Sequence, residues 1–364
     1  MGLRVVMVKS VMDAPDGHLP GLPATPTAEA ERLWAAVAAL LAPASVSDVL
    51  AHRLGALAAK YARERGAAVP RPLVDEERSA GVAMLTAQPL VARIRETCDT
   101  PLMLLKGPEV ATLYPVGGRR FIDIDVLTTD ADSVQRGLLA AGFVDADDED
   151  ALEVHHHHLA PLRWPALPLA VEVHARPNWL VGVGRPALQE IFDAGVPCSI
   201  GVPGVSAPHP RHHAIILAVH AWRHRPLLYL RDLVDIAAVS ALVARVDLDR
   251  QARDWGIERV WGTTSAAMDA LFFGQPASMP LRTWARHLAG VREQTVLERH
   301  VARFACGYWE VGAASATARL GSVLKEELSP AEGETWRRKL GRIAGAVRDA
   351  RAPSSRRDDT SAGS

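Results

Sequence analysis

The stretch Leu102–Leu127 reads LMLLKGPEVATLYPVGGRRFIDIDVL and carries two carboxylates, Asp123 and Asp125, inside an apolar, β-branched run. Side chains alternate faces along a strand, so both aspartates share one face while Ile124 and Val126 point the other way. Neighbouring carboxylates on a buried strand repel each other and need a compensating cation. A divalent ion such as Mg²⁺, which takes one or two protein carboxylates, would supply that charge. The alternative is an edge strand with a solvated acidic face.

The residues before the carboxylates predict a strand, a turn and a short helix. The apolar run Leu102–Leu105 ends at Lys106 and Gly107, which is typical of a central strand followed by a glycine turn. Pro108 suits the first position of a short helix. A lysine beside a strand-glycine-helix turn favours an anion site, although such turns are common in α/β proteins.

Two arginines, Arg119 and Arg120, lead into the carboxylate strand. The loop brings both to the end of the predicted sheet that carries the acids. There they would either grip a phosphate group or form ion pairs with neighbouring acidic residues.

A second strand, over 167–175 (LPLAVEVHA), repeats the polar pattern with Glu172 and His174 on one face. If it lies beside the first strand with the polar faces aligned, Glu172 becomes a third carboxylate next to Asp123 and Asp125. Three carboxylates around one or two divalent ions are suited to orient a nucleoside triphosphate and activate an attacking hydroxyl.

Four consecutive histidines, His155–His158, lie in a β-like setting between these strands. Alternation lets at most two of them converge on one ion, and the spacing is not a helical zinc pattern. A hydrolase whose site is built on these histidines is one functional alternative, but no additional metal-ligand residues at a suitable spacing support it.

Composition narrows the class of protein. The chain has 364 residues, 48% apolar and 23% charged, with 41 basic and 42 acidic side chains and a net charge of −1. This balance is ordinary for a soluble globular protein and argues against a long nucleic-acid partner. The three cysteines are far apart and predict no disulfide framework. No apolar run approaches the length of a membrane span, so we expect a cytoplasmic protein without a membrane partner.

Patterning divides the chain into helical and α/β parts. Proline-rich residues 1–26 predict a flexible leader, and the polar residues 351–364 a disordered tail. Apolar residues at helical spacing predict an N-terminal helical lobe over 27–100 and a C-terminal one over 209–350. The strand patterns place an α/β core at 101–208.

Some details of the helical lobes are also predicted. Ser47 is expected to cap a helix that ends at Gly66, and a later helix is expected to bend or break before Pro89. His213 and His220 lie near a core stripe and are expected to be satisfied core or boundary histidines.

The order of these motifs resembles the nucleotidyltransferase superfamily related to DNA polymerase β, and more narrowly the bacterial uncharacterised nucleotidyltransferases. The matching elements are Leu105-Lys106-Gly107, Leu113-Tyr114-Pro115, Arg119-Arg120, Asp123-Ile124-Asp125-Val126-Leu127 and Val171-Glu172-Val173-His174. The resemblance covers about residues 100–240. It implies an α+β fold, with a polymerase β-like core and a small mixed sheet flanked by helical lobes.

The resemblance implies transfer of a nucleoside monophosphate from an NTP, with ATP preferred, to an unknown acceptor with release of pyrophosphate. Asp123, Asp125 and Glu172 would be catalytic and would bind Mg²⁺ or Mn²⁺. The residues that would contact the nucleotide are Lys106, Gly107, Arg119, Arg120 and His174.

The turn departs from the superfamily pattern, because Pro108 follows Gly107 where Gly or Ser is usual. A catalytically silent member that binds a nucleotide or a partner is therefore the alternative. The resemblance also makes Asp232 a possible residue of the site; an ion pair with Arg231 or Arg225 is the competing interpretation.

Overall fold

The chain from residue 27 to the sheet forms four helices. A computed structural model describes residues 27–146, 158–180, 183–309, 335–341 and 350. The predicted leader, the predicted tail and His155–His157 lie outside the described residues. The first four helices are α1 (Ala28–Leu41), α2 (Val46–Ala51), α3 (Gly55–Glu64) and α4 (Arg71–Glu96). Helix α4 packs on one face of the sheet, and α1–α3 pack with the helices on the other face.

The predicted N-cap of α2 is wrong, and the predicted break before Pro89 is absent. Ser45, not Ser47, caps α2, and the predicted long helix is split because Arg53 takes a positive φ of 59° between α2 and α3. The long helix α4 continues through Pro89 without a break. Pro89 removes only the hydrogen bond to the carbonyl of Leu85, which lies on the solvent face with its residue 79% exposed, so water can replace the lost donor.

A seven-stranded mixed sheet forms the centre of the fold, in the order β3-β4-β5-β2-β1-β7-β6. Strand β2 pairs with β1 antiparallel and with β5 parallel, so it is an interior strand. This confirms the predicted α+β class. The elements of this region are β1 (Leu102–Leu104), α5 (Pro108–Ala111), β2 (Asp123–Thr128), α6 (Ala131–Ala140), β3 (Val144–Asp145), β4 (Leu162–Arg163), β5 (Ala170–His174), α7 (Leu188–Asp193), β6 (Val196–Pro197) and β7 (Val205–Ala207).

The chain after the sheet is helical. Within α8, the predicted core stripe is buried, and His213 is the predicted satisfied core histidine, with its Nε2 2.6 Å from the carbonyl oxygen of Leu105. Within the described part of the chain, no helix has the length and apolar character needed to cross a membrane. These helices are α8 (Pro210–His224), α9 (Leu230–Ser240), α10 (Arg245–Asp254), α11 (Glu258–Phe272), α12 (Met279–Thr283), α13 (Arg286–Ala289) and α14 (Val296–Trp309).

Strand alternation sorts the side chains of β2 between two hydrophobic clusters. Ile124 and Val126 pack with residues of α4 on one face of the sheet. Leu127 belongs to the other cluster, which is built largely from α8, α9 and the helices around them. Because Asp123 and Asp125 share their face with Leu127, the carboxylates are directed to the side covered by α8 and α9.

Candidate active site

The pairing of β2 with β5 brings two of the three predicted acidic residues together and places the third, Asp123, opposite Ala170. Asp125 lies opposite Glu172 in the parallel register, and Leu127 lies opposite His174. Ligand atoms of Asp125, Glu172 and His174 all lie within 4.8 Å of one another. The two strands are therefore neighbours with aligned polar faces, which is the condition under which Glu172 joins the carboxylates of β2. A solvated edge strand is excluded because β2 is interior and Asp125 is only 4% exposed.

His174 joins two of the carboxylates. Its Nε2 lies 3.0 Å from Oδ1 of Asp125 and 3.4 Å from Oε2 of Glu172. Burial alone would lower the pKa of His174, but the hydrogen bonds to both acids raise it to about 9. An imidazolium therefore holds the side chains of Asp125 and Glu172 toward each other at neutral pH.

His158, the described member of the four histidines, reaches the same cluster. Its backbone forms a bridge with His174, and the two rings meet edge to face with centroids 5.2 Å apart. Its Nε2 lies 3.9 Å from Oε2 of Glu172. At least one residue of the histidine run thus belongs to the candidate site.

The two aspartates of β2 have opposite electrostatic environments. Burial, together with the charges of Asp125 and Glu172, raises the pKa of Asp123. Burial also opposes ionisation of Asp125, but the Lys106 ammonium and the hydrogen bond from His174 hold its pKa well below the usual range. Negative charge is therefore best compensated at Asp125 and least compensated at Asp123.

The turn after β1 packs directly against the carboxylate strand. Gly107 has φ 58° and ψ −116°, a conformation that strongly favours glycine. The N–H of Glu109 donates to the carbonyl of Lys106 at 3.3 Å and closes the turn. A Cβ at Gly107 would lie 2.8 Å from the carbonyl oxygen of Asp123. Pro108 occupies the first position of α5, where its missing N–H has no partner to lose, so the departure from the superfamily pattern is accommodated.

Lys106 faces the carboxylates from this turn and contacts a histidine of α8. Its charge lowers the pKa of Asp123 and of Asp125. Its Nζ donates to Nε2 of His220, which is partly buried. Burial and the adjacent ammonium hold the pKa of His220 well below the usual range, so this histidine is neutral. His220 is thus a satisfied boundary histidine, one of the two predicted placements, and it also belongs to the candidate site.

Arg119 and Arg120 both form ion pairs, the second of the two interpretations that the sequence allowed. Nε and Nη2 of Arg119 donate to the two carboxylate oxygens of Asp235 at 2.8 and 2.7 Å, in a pair that is almost fully buried. Nη1 of Arg119 donates to the carbonyl of Gly107 at 3.1 Å. Arg120 pairs instead with Glu76 of α4. Arg119 therefore fixes the turn rather than presenting its guanidinium to a ligand.

Sequence reasoning missed Asp235 and chose its neighbour Asp232. The predicted pair of Asp232 with Arg231 is confirmed, with N and O atoms 3.5 Å apart. Asp235 accepts hydrogen bonds from Arg119 and from the Tyr114 hydroxyl, the latter at 2.6 Å. The available signal was an acidic residue surrounded by apolar ones in α9, since such a residue needs a buried partner.

Comparison with known proteins adds a family assignment. A family model described as "Uncharacterised nucleotidyltransferase" matches residues 30–272, which run from α1 to the end of α11 and include the whole sheet. No curated protein and no solved structure gave a match. The matched region is about two thirds of the chain and contains Asp123, Asp125, Glu172 and His174. The chain therefore belongs to the family of uncharacterised nucleotidyltransferases.

Proposed function

We propose that the protein is a Mg²⁺-dependent nucleotidyltransferase that moves a nucleoside monophosphate from an NTP to a hydroxyl or phosphate acceptor. The acceptor would be a small molecule, a peptide or a protein, and ATP is the preferred donor. The observation that carries the proposal is the juxtaposition of Asp125 and Glu172 on two paired strands, with Asp123 on the same face of β2, within a member of this family.

The donor set fits a hard divalent cation. Carboxylate oxygens are the protein ligands that Mg²⁺ prefers, and the ion usually keeps room for substrate phosphates. Asp123, Asp125 and Glu172 would hold Mg²⁺ or Mn²⁺, and the raised pKa of Asp123 is consistent with a site that lacks one positive charge. When bound, the ion would neutralise triphosphate oxygens and make the acceptor hydroxyl easier to deprotonate.

The remaining groups have distinct tasks in the proposed transfer. Lys106 would neutralise phosphate charge beside the Gly107 turn, whose lack of a side chain permits close approach of the backbone. His174 orients Asp125 and Glu172 through the contacts at 3.0 and 3.4 Å. Glu172 is the more accessible acid, with a side chain 23% exposed against 5% for Asp125, which supports a role in contacting the acceptor.

The proposed step is a substitution at the α-phosphorus. The acceptor oxygen forms a bond to this phosphorus while the bond to the bridging oxygen of the β-phosphate breaks. Pyrophosphate leaves with that oxygen, and the acceptor proton passes to Glu172. Positioning and charge stabilisation are the main contributions of a protein to such a transfer.

The test is pyrophosphate release with each of the four NTPs and Mg²⁺ across a panel of acceptors, followed by intact-mass analysis of the acceptor. The added mass identifies the base and shows that a covalent bond has formed. Asp125→Asn should lower the rate by roughly 10²–10³-fold. Asp132→Asn, a matched change at an exposed acid of α6, should leave the rate unchanged.

Two outcomes would count against the proposal. Tight Mg²⁺-dependent NTP binding without turnover on any acceptor would favour the catalytically silent alternative. No Mg²⁺-dependent nucleotide binding at all would contradict both.

A further inference from the structure

Arg231 of α9 lies on the side of the helix that faces the candidate site. It precedes Asp235 by four residues, and residues at this spacing lie on the same helix face. Asp235 binds Arg119, which in turn donates to the carbonyl of Gly107 at 3.1 Å. The α9 face that carries Arg231 is therefore tied through two contacts to the Lys106–Gly107 turn.

Arg231 is also electrostatically close to the carboxylates. Its charge opposes the rise in the pKa of Asp123 and contributes to the lowered pKa of Asp235. The charge of Lys106 acts on Asp123 in the same direction. A ligand bearing several negative charges beside Asp123 would therefore meet both cations.

The hydrogen-bonding capacity of Arg231 is only partly used. Within the described residues, its Nε is buried and has no hydrogen-bond partner. Its Nη2 lies 3.5 Å from Oδ1 of Asp232, its neighbour in sequence, which is a long separation for an ion pair. The side chain is 21% exposed, so a ligand can reach it. Arg119 and Arg120 differ in this respect, because short contacts commit them to Asp235 and Glu76.

We propose that Arg231 is a triphosphate-binding residue, which donates hydrogen bonds to phosphate oxygens of the NTP beside Lys106. This assignment rests on the proposed function and specifies its phosphate site. On binding, the guanidinium exchanges its long contact with Asp232 for charge-assisted bonds to phosphate, which are shorter and stronger. The arginine of the phosphate site then comes from the helical lobe and not from the loop before β2.

The inference is tested by calorimetric titration of the full chain with inorganic tripolyphosphate in the presence of Mg²⁺, which removes any dependence on the base. Arg231→Gln should weaken binding about 10- to 100-fold, the range for lost hydrogen bonds to a charged group. Arg231→Lys should recover part of the affinity. Arg250→Gln, which breaks an exposed ion pair on α10, is the matched control and should bind like wild type.

Two further measurements separate a direct phosphate contact from a structural role. Asp232→Asn removes the competing carboxylate and should bind tripolyphosphate at least as tightly as wild type. AMP, which lacks the β- and γ-phosphates, should show a smaller loss than tripolyphosphate in Arg231→Gln. Thermal unfolding checks that each variant is folded. If Arg231→Gln does not fold, the tripolyphosphate affinity of Arg231→Lys is compared with that of wild type instead.

The inference is overturned if wild type binds tripolyphosphate and Arg231→Gln binds it equally well. It is also overturned if Arg120→Gln, and not Arg231→Gln, weakens the binding of tripolyphosphate. Failure of wild type to bind either tripolyphosphate or any NTP with Mg²⁺ is a different result, which refutes the proposed function and this inference with it.

Discussion

Replacement of Asp235 by Asn would leave the Arg119 guanidinium buried without its counter-charge. The side chains of the pair are only 4% and 7% exposed, so solvent cannot replace the lost carboxylate. The change weakens two charge-assisted bonds, at 2.8 and 2.7 Å, and the bond from Tyr114 at 2.6 Å. Breaking a buried ion pair from one side typically costs about 3–5 kcal/mol. We expect a loss of this size in the free energy of unfolding.

The assay is urea unfolding of wild type, Asp235→Asn, Arg119→Met and the double variant Arg119→Met/Asp235→Leu. Removal of both charges eliminates the uncompensated ion, so the double variant should be more stable than the sum of the single losses predicts. Asp232→Asn, at the neighbouring partly exposed pair, is the matched control and should cost about 1 kcal/mol or less.

Two results would refute this reasoning. A loss below about 1 kcal/mol in Asp235→Asn would mean that the pair contributes no more than a surface ion pair. Additive losses in the double variant would mean that the two residues stabilise the fold independently of each other. Either result would also contradict the inference that Arg119 fixes the Gly107 turn.

Three further predictions follow from the same structure. Gly107→Ala should cost about 1–3 kcal/mol of unfolding free energy in a urea titration, because φ is positive there and the added Cβ would lie 2.8 Å from the Asp123 carbonyl oxygen. Gly117 also has a positive φ but has open space around it, so Gly117→Ala should cost less in the same titration. Burial lowers the pKa of His287 to about 4, so its contribution to stability is complete above the unfolded pKa of 6.5 and is lost as pH falls toward 4. The loss in unfolding free energy at pH 5 is about 2 kcal/mol. Urea unfolding at pH 7 and pH 5 should show a correspondingly smaller loss for His287→Asn than for wild type, and an identical loss would exclude this histidine as a cause. Mg²⁺ at roughly a hundred times its Kd should stabilise the wild type by about 2.7 kcal/mol in thermal unfolding, and retention of this effect in Asp125→Asn would show that the ion binds elsewhere.

The sequence was informative wherever a residue's role depends on its own strand or turn. The alternation in FIDIDVL and AVEVH predicted the faces of Asp125 and Glu172, and the polar faces suggested that the two strands pair. Gly107 and Pro108 were placed correctly because their backbone preferences are intrinsic. Sequence predicted less where the partner is distant, since Arg119 and Asp235 are 116 residues apart and the two adjacent arginines end on different helices. The break was missed because the residue with the positive φ is Arg53, a residue type that rarely adopts this conformation.

The Arg119–Asp235 pair also constrains the order in which the protein can be assembled during synthesis. The carboxylates, the turn and Arg119 all emerge from the ribosome before α9 is made. Until Asp235 is available, Arg119 has no buried counter-charge, and the turn lacks the lateral support of the completed pair. The hydrogen bond from Arg119 to the Gly107 carbonyl therefore has its anchor only once α9 has docked, so the completed site requires that helix.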